Sequence, residues 1–326
     1  MSEIKLKATR DGFGEAMLQL GKDNPQVVAL CADLSDSLRL SEFKKNFPSR
    51  YVECGVAEQN MMSVGAGLAL AEKIPFIASF AVFNPGRNLD QLRVATYSGL
   101  NIKVVGGYAG FGNGGDGATH QAFEDLAIMS SLPKMTVIVP ADADQALELT
   151  LLASQIVGPC YLRLGRVDLE PLSKFGALPK IEIGQAQVLK KGQDLSIFAT
   201  GLMVQEALKA ALELEKIGMS VEVLNFHTIK PLDRQAIIKS SQKTHAVIVA
   251  AEHDINSGLT SLVAQSLAQA MGQEIKEPVA LESIGMNNTF GESANNQDLL
   301  KKYHFNYLEI INKAKLVLNK KKRLSL

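Results

Sequence analysis

The sequence predicts an α/β protein made of two three-layer domains, each with a mainly parallel sheet. Three observations carry this expectation. The chain has 326 residues, more than one ordinary core organises and well suited to two. Short apolar, often β-branched runs alternate with amphipathic stretches, the order of strand and covering helix in a parallel sheet. The alternation stops at a proline- and glycine-bearing segment, residues 165–184, and then restarts. We expect a first domain over residues 1–168, a linker over 169–186 and a smaller second domain over 187–326.

In the first half, strand candidates lie at residues 27–31, 51–54, 76–80, 102–105, 136–139 and 161–164. Between them, residues 11–21 place Phe13, Ala16, Met17 and Leu20 on one helical face, and residues 121–131 and 143–157 behave similarly. A helix over 59–71 carries Gly65, Ala66, Gly67 and Ala69. Such small residues suit a close contact with another helix or tight internal packing equally. Beyond the linker, residues 195–199, 221–225, 246–250 and 279–283 read as strands, and 203–216, 233–241 and 257–271 as helices. From about Phe305 the chain reads as helical and ends in Lys320-Lys321-Lys322-Arg323, expected to be a solvated, frayed end.

Composition narrows the function classes. Hydrophobic residues make up 46% and charged residues 21%, an ordinary globular balance. Lysine plus arginine and aspartate plus glutamate number 34 each, so no global field argues for nucleic acid or an anionic membrane. A local anion site needs no net charge. Met1-Ser2-Glu3-Ile4-Lys5 is charged and lacks an apolar leader pattern. No apolar run reaches the roughly 18 residues of a membrane helix. Cys31, Cys54 and Cys160 are odd in number and far apart. They form neither a disulfide framework nor metal spacing, which fits a cytoplasmic protein.

Three segments carry chemistry. In the first, residues 51–60, a strand ends, Gly55 permits a tight exit, and Glu58 opens a helix. The carboxyl ends of parallel strands are where such sheets bind ligands, and a carboxylate there can address a ring nitrogen. Glu58 would serve equally well as a helix-start acid complementing the dipole. In the second, Phe80 and Phe83 follow a strand directly and could form a wall for a flat heterocycle, or simply pack in the core. In the third, residues 106–121, glycines crowd a loop that closes on Asp116 and His120, side chains suited to hydrogen bonding and proton transfer.

In this order, the three segments resemble the transketolase family and its relative deoxyxylulose-phosphate synthase. Gly55-Val56-Ala57-Glu58-Gln59 is similar to the family's Gly-Ile-(Arg/Ala)-Glu-(His/Gln). Asp116-Gly117-Ala118-Thr119-His120-Gln121 is similar to its Asp-Gly-x-Thr-His-Gln. The likeness runs from Ala8 to Arg166 through these motifs and more weakly to Glu292. It implies a thiamine-diphosphate pyrimidine-binding domain followed by a transketolase C-terminal-like domain. Residue by residue, it implies that Glu58 hydrogen-bonds the aminopyrimidine of thiamine diphosphate and so takes part in catalysis. Phe80 and Phe83 would stack on that ring, Asp33 would lie on the cofactor side, and His120 and Asp116 would bind donor hydroxyls. Arg10, Ser37 and Arg166 look like the family's sugar-phosphate site, since paired guanidinium donors suit a phosphate dianion. Arg163 competes with Arg166 for that place. Neither His227 nor His253 is needed for the implied chemistry, and both are expected to be structural.

The sequence also departs from the family. Tyr108 stands where transketolases carry a substrate-binding histidine, Gly115 replaces an acidic residue, and Gly86 replaces a third aromatic. These leave the preferred sugar open. No part of the sequence matches the family's diphosphate- and metal-binding domain. Gly115-Asp116-Gly117 looks like the opening of its metal motif, but the nearest downstream asparagine is Asn225, far too distant, so no metal ligand is expected in this chain. The resemblance therefore implies a separate N-terminal subunit that holds the diphosphate and magnesium or calcium. It implies a heterotetramer of two subunits of each kind, and a homodimer when this chain is alone. The expected reaction is transfer of a two-carbon ketol unit between sugar phosphates, as in the pentose phosphate pathway. Three alternatives fit less well. A deoxyxylulose-phosphate synthase-like subunit agrees poorly with the half-length chain. A 2-oxo acid dehydrogenase β subunit agrees poorly with the 116–121 string. A non-catalytic relative would not be expected to keep Glu58, Phe80, Phe83 and His120.

Overall fold

The computed structural model describes residues 6–324, so the expectation about Met1–Lys5 lies outside the described residues. The first half runs α1 (Thr9–Asp23), β1 (Val27–Cys31), α2 (Ser41–Asn46), β2 (Tyr51–Glu53), α3 (Glu58–Leu70), β3 (Ile74–Phe80), α4 (Leu89–Tyr97), β4 (Lys103–Gly107), α5 (Asp125–Ser131), β5 (Thr136–Ile138), α6 (Ala143–Gln155) and β6 (Cys160–Arg163). The second half continues with β7 (Gln187–Lys190), β8 (Leu195–Ala199), α7 (Met203–Glu215), β9 (Val221–Asn225), β10 (Thr228–Lys230), α8 (Arg234–Thr244), β11 (Ala246–Asp254), α9 (Gly258–Ala270), β12 (Ala280–Met286), α10 (Asn296–Lys302) and α11 (Tyr307–Leu324).

Two mainly parallel sheets organise the chain. The first has the order β10-β5-β6-β4-β3-β1-β2 and the second β12-β11-β8-β9-β7. Strands β1, β4, β8 and β9 are buried at every position. Helices cover both faces of a parallel sheet, so β1 reads as a continuous apolar run, and the polar residues of the other three, Lys103, Ser196, Glu222 and Asn225, are buried as well. Helix α1 buries Phe13, Ala16, Met17 and Leu20, the stripe its periodicity predicts. It starts two residues earlier than expected because the Asp11 carboxylate accepts the Ala8 N–H at 2.9 Å and so caps the first turn. It packs against α6 so closely that a Cβ on Gly12 would collide with the Ala143 carbonyl.

Several local expectations need correction. The helix expected over 121–131 begins only at Asp125. Residues 121–123 are taken up elsewhere: the Gly110 N–H donates to the Ala122 carbonyl and the Asp254 N–H to the Phe123 carbonyl, both at 2.8 Å. The basic tail is not frayed. It lies in α11, where Lys320 pairs with Glu282 and Lys321 donates to the Thr244 carbonyl. Helices α2, α4 and α10 and strands β7 and β10 are additions to the expected elements. Strand β10 belongs to the second half of the chain yet joins the first sheet, pairing antiparallel with β5 through Thr228 and Ile138. Residues 165–184 are no free tether either. Leu172 and Ile181 are buried, and the Leu172 N–H donates to Asp142 Oδ2 at 2.6 Å. Of the small residues on α3, Gly65 is explained by internal packing, since a Cβ there would meet Ile77, while Gly67 borders open space.

Candidate active site

In the first sheet β1 lies between β2 and β3. The chain leaves β1 in one direction to form β2 and then crosses to the other side. Such a reversal opens a crevice beyond the carboxyl ends of the strands. Most of the predicted site residues lie on loops at this edge.

Glu58 is the first residue of α3 and is only 3% exposed. Its carboxylate is held from two directions. Ser79 Oγ at the end of β3 donates to Oε1 at 3.2 Å, and Arg87 Nη1 donates to Oε2 at 3.0 Å and to Oε1 at 3.2 Å. The Asn88 amide anchors the same turn through the Glu58 carbonyl at 3.3 Å. A buried carboxylate is tolerable only when so paired. The helix N-terminus adds favourable partial positive charge.

Phe80 and Phe83 lie beside this acid as an aromatic wall, with centroids 6.2 Å apart and planes inclined by 23°. Tyr108, after β4, extends the wall by stacking on Phe80 at 4.4 Å. The His120 ring meets Phe83 edge-on at 5.3 Å, and its Nδ1 lies 2.9 Å from Thr119 Oγ1. The Arg87 guanidinium lies 3.9 Å above the Phe83 ring. The wall therefore has a cation on one face and an imidazole at one edge.

The polar end is built on Arg10. Its guanidinium donates to the Ser37 carbonyl at 3.0 Å and to the Tyr108 hydroxyl, and it lies 5.0 Å from the Tyr108 ring. Arg166 approaches the same ring at 5.2 Å. Tyr108 thus gathers two guanidiniums around one phenol. Burial lowers the Arg10 pKa from its ordinary value. Ser37 enters through its backbone carbonyl, leaving its hydroxyl outside this contact. Tyr108 takes a left-handed backbone, φ 56°, which a bulky residue adopts at a cost.

The other predicted residues are more peripheral. Asp33 is exposed after β1 with φ 59°, and its N–H donates to Glu53 Oε1 at 2.8 Å. Among the described residues no hydrogen bond or ion pair links it to Glu58. Asp116 is exposed on the glycine-rich loop. Arg163 does not share the polar end with Arg10: it is 6% exposed and paired with the buried Asp125 at 2.9 Å. His227 and His253 are buried, and burial pushes each pKa down to about 4. Among the described residues, no group of three or more histidines, cysteines, aspartates or glutamates is arranged to hold a metal, and no helix is long and apolar enough to cross a membrane.

Sequence reasoning misses Arg87 as the partner of Glu58. The only signal is the polar turn Asn84-Pro85-Gly86-Arg87-Asn88 directly after the aromatic pair. Tyr108 stands out in the sequence as a departure, but nothing there foretells its contact with Arg10.

A parallel α/β sheet thus carries a buried, arginine-paired acid and an aromatic wall at its carboxyl edge, where such sheets bind ligands. Residues 5–171 match the pyrimidine-binding domain of transketolase, and residues 184–310 match the transketolase C-terminal domain. The chain belongs to the transketolase family. It is 37% identical over 325 residues to a 6-deoxy-6-sulfo-D-fructose transketolase subunit from a Clostridium species, covering 98% of each chain. It is 32% identical over 297 residues to an apulose-4-phosphate transketolase subunit from Phocaeicola vulgatus, covering 91% of this chain and 93% of that protein. A split-gene transketolase solved as an inactive beta4 tetramer superposes with a TM-score of 0.86 at 40% identity, covering 96% of this chain and 99% of that one. Against human transketolase the match spans only 43% of the longer protein.

Proposed function

We propose that this chain is one subunit of a thiamine-diphosphate-dependent transketolase, moving a two-carbon ketol unit between sugar phosphates together with a separate N-terminal subunit. The observation that carries this reading is the buried Glu58 carboxylate, paired with Arg87 beside the Phe80–Phe83 wall. These residues fit the cofactor's pyrimidine end: an acid for a ring nitrogen, flat apolar surface for a ring, and open space above Gly55 at the mouth. When bound, the cofactor supplies the carbanion and electron sink of ketol transfer.

The roles of this chain's residues follow. Glu58 holds a proton at the ring nitrogen, and Arg87 and Ser79 fix the direction of its carboxyl. Phe80 and Phe83 orient the ring and exclude water from it. Asp33 lies on the cofactor side of the crevice. His120 and Asp116 bind the hydroxyls of the ketose donor, and His120 exchanges protons there. Arg10 and Arg166, with the Ser37 hydroxyl, receive the sugar phosphate as charge-assisted bonds. The partner subunit holds the diphosphate and magnesium or calcium. The assembly is a heterotetramer, with a homodimer when the partner is absent. The setting is cytoplasmic, as a pentose phosphate pathway enzyme requires. We take residues 1–168 and 187–326 as the two domains.

The supporting relatives are themselves transketolase subunits of nearly equal length. The test is reconstitution. The purified chain alone should show no ketol transfer from a panel of ketose phosphates. Mixed with a subunit carrying the diphosphate and metal motif, thiamine diphosphate and magnesium, it should. Transfer by this chain alone, or an inert mixture with every donor tried, would overturn the proposal.

A further inference from the structure

We propose that Glu252, at the end of β11 in the second half of the chain, is a positioning residue for the glycine-rich loop that carries Asp116 and His120. The inference draws on the functional reading above only for what the loop does, not for how it is held.

The geometry is specific. Strand β11 pairs regularly with β12 from Ala246 to Ala250, and its register then shifts before Asp254. Within that irregular stretch the Glu252 side chain lies against the first domain. Its Oε1 accepts the Phe111 N–H at 3.0 Å. A Cβ on Gly110 would collide with its carboxyl carbon, so the loop backbone rests directly on the acid. Gly110 has φ 59°, the left-handed region that favours glycine. The Glu252 carbonyl in turn accepts from Arg163 Nη2 at 2.8 Å. Glu252 is therefore gripped from its backbone while its side chain holds the base of the loop. Gln121 Nε2 donates to the Glu292 carbonyl at 3.0 Å and closes the far end.

A carboxylic acid is an expensive choice at a site that is 5% exposed. An apolar residue would pack there at lower cost, so a role in packing alone does not explain the acid. The charged groups facing it are Arg163 from β6, which favours its ionised form, and Asp125 from α5, which opposes it. Burial is the largest effect; together with Asp125 it outweighs Arg163 and the Phe111 N–H and pushes the pKa up to about 7. Its ionisation therefore changes near neutrality. The ionised form accepts the Phe111 N–H more strongly than the neutral acid does. Loop order should then rise with pH.

Amide hydrogen exchange on the full chain tests this without cofactor or partner. Protection of peptides spanning residues 108–121 is compared at pH 6 and pH 8, after correction for intrinsic exchange. In the wild type, protection should rise about tenfold, the effect of strengthening a hydrogen bond by roughly 1.4 kcal/mol. Glu252→Gln should stay folded and lose the rise. Glu252→Ala should lose protection in this loop at both pH values. If it fails to fold, Glu252→Gln still decides. The same pH response in wild type and Glu252→Gln would overturn the proposal, as would protection lost evenly across the second domain. Failure of ketol transfer in reconstitution would leave these exchange results standing, so the two readings fail separately.

Discussion

The Arg87 guanidinium closes on the Glu58 carboxylate at 3.0 Å while lying 3.9 Å above the Phe83 ring. One side chain therefore ties the acid of the site to its aromatic wall. Its own side chain is 47% exposed, so solvent screens much of the ion pair. We predict that Arg87→Ala costs about 1 kcal/mol, lowering the melting temperature by about 2–4 °C. Cofactor affinity in the reconstituted assembly should fall about tenfold, because the carboxyl loses its orienting donor. Calorimetry on the free chain and cofactor titration of the assembly separate these effects. Arg87→Lys should fall between, since a lysine offers no planar fork.

Glu58→Gln keeps the shape of the side chain and loses the acid. Ketol transfer should fall by at least about 10²-fold, the range typical for removing a positioned acid or base. Circular dichroism should remain unchanged. Near-normal turnover in steady-state assays would mean that another group serves the ring nitrogen.

The chain contains no tryptophan, so Phe83→Trp would install a single indole in the wall. Its emission should be quenched when thiamine diphosphate binds the assembled enzyme, because a heterocycle then stacks on it. Emission unmoved by saturating cofactor would remove Phe83 from the pyrimidine site.

Tyr108→Phe deletes the hydroxyl that occupies Arg10 and leaves the ring stacked on Phe80. The KM for a phosphorylated donor should change severalfold with kcat nearly constant, the pattern of altered ground-state binding. Arg10→Ala should raise that KM about 10- to 100-fold, the loss of a charge-assisted bond worth roughly 1.5–3 kcal/mol. Initial-rate kinetics with phosphorylated and unphosphorylated donors distinguish anion binding from general damage.

The buried Arg163–Asp125 pair is structural, and breaking it should be costly. Asp125→Asn strands a guanidinium that is only 6% exposed and should destabilise by about 3 kcal/mol in denaturant unfolding. The double substitution Asp125→Leu with Arg163→Met should cost less than the single one. An apolar pair removes the stranded charge along with its partner.

Much of this was legible in the sequence, for physical reasons. Strands β1, β4, β8 and β9 are covered on both faces, so mainly apolar runs announce them even though Lys103, Ser196, Glu222 and Asn225 interrupt three of them. Glu58, Phe80 and Phe83 could be singled out because chemistry-bearing residues follow directly on apolar runs. What stayed hidden depends on contacts between distant segments. Arg163 and Arg166 are three residues apart and indistinguishable by type. One is buried on Asp125, the other approaches Tyr108, and only the folded path of β6 decides which. The late start of α5 was hidden similarly, because residues 121–123 are helix-compatible by type but are tied to Gly110, Asp254 and Glu292. The three residues of β10 are too few to show a period of two.

That short strand has a consequence for solubility. A parallel sheet ending at β5 would present unpaired N–H and C=O groups on an apolar strand, a template on which another molecule could add its own. Thr228–Lys230 fills that edge with the chain's own backbone. Cutting the chain between its halves would uncover it, and the first half expressed alone should self-associate through β5.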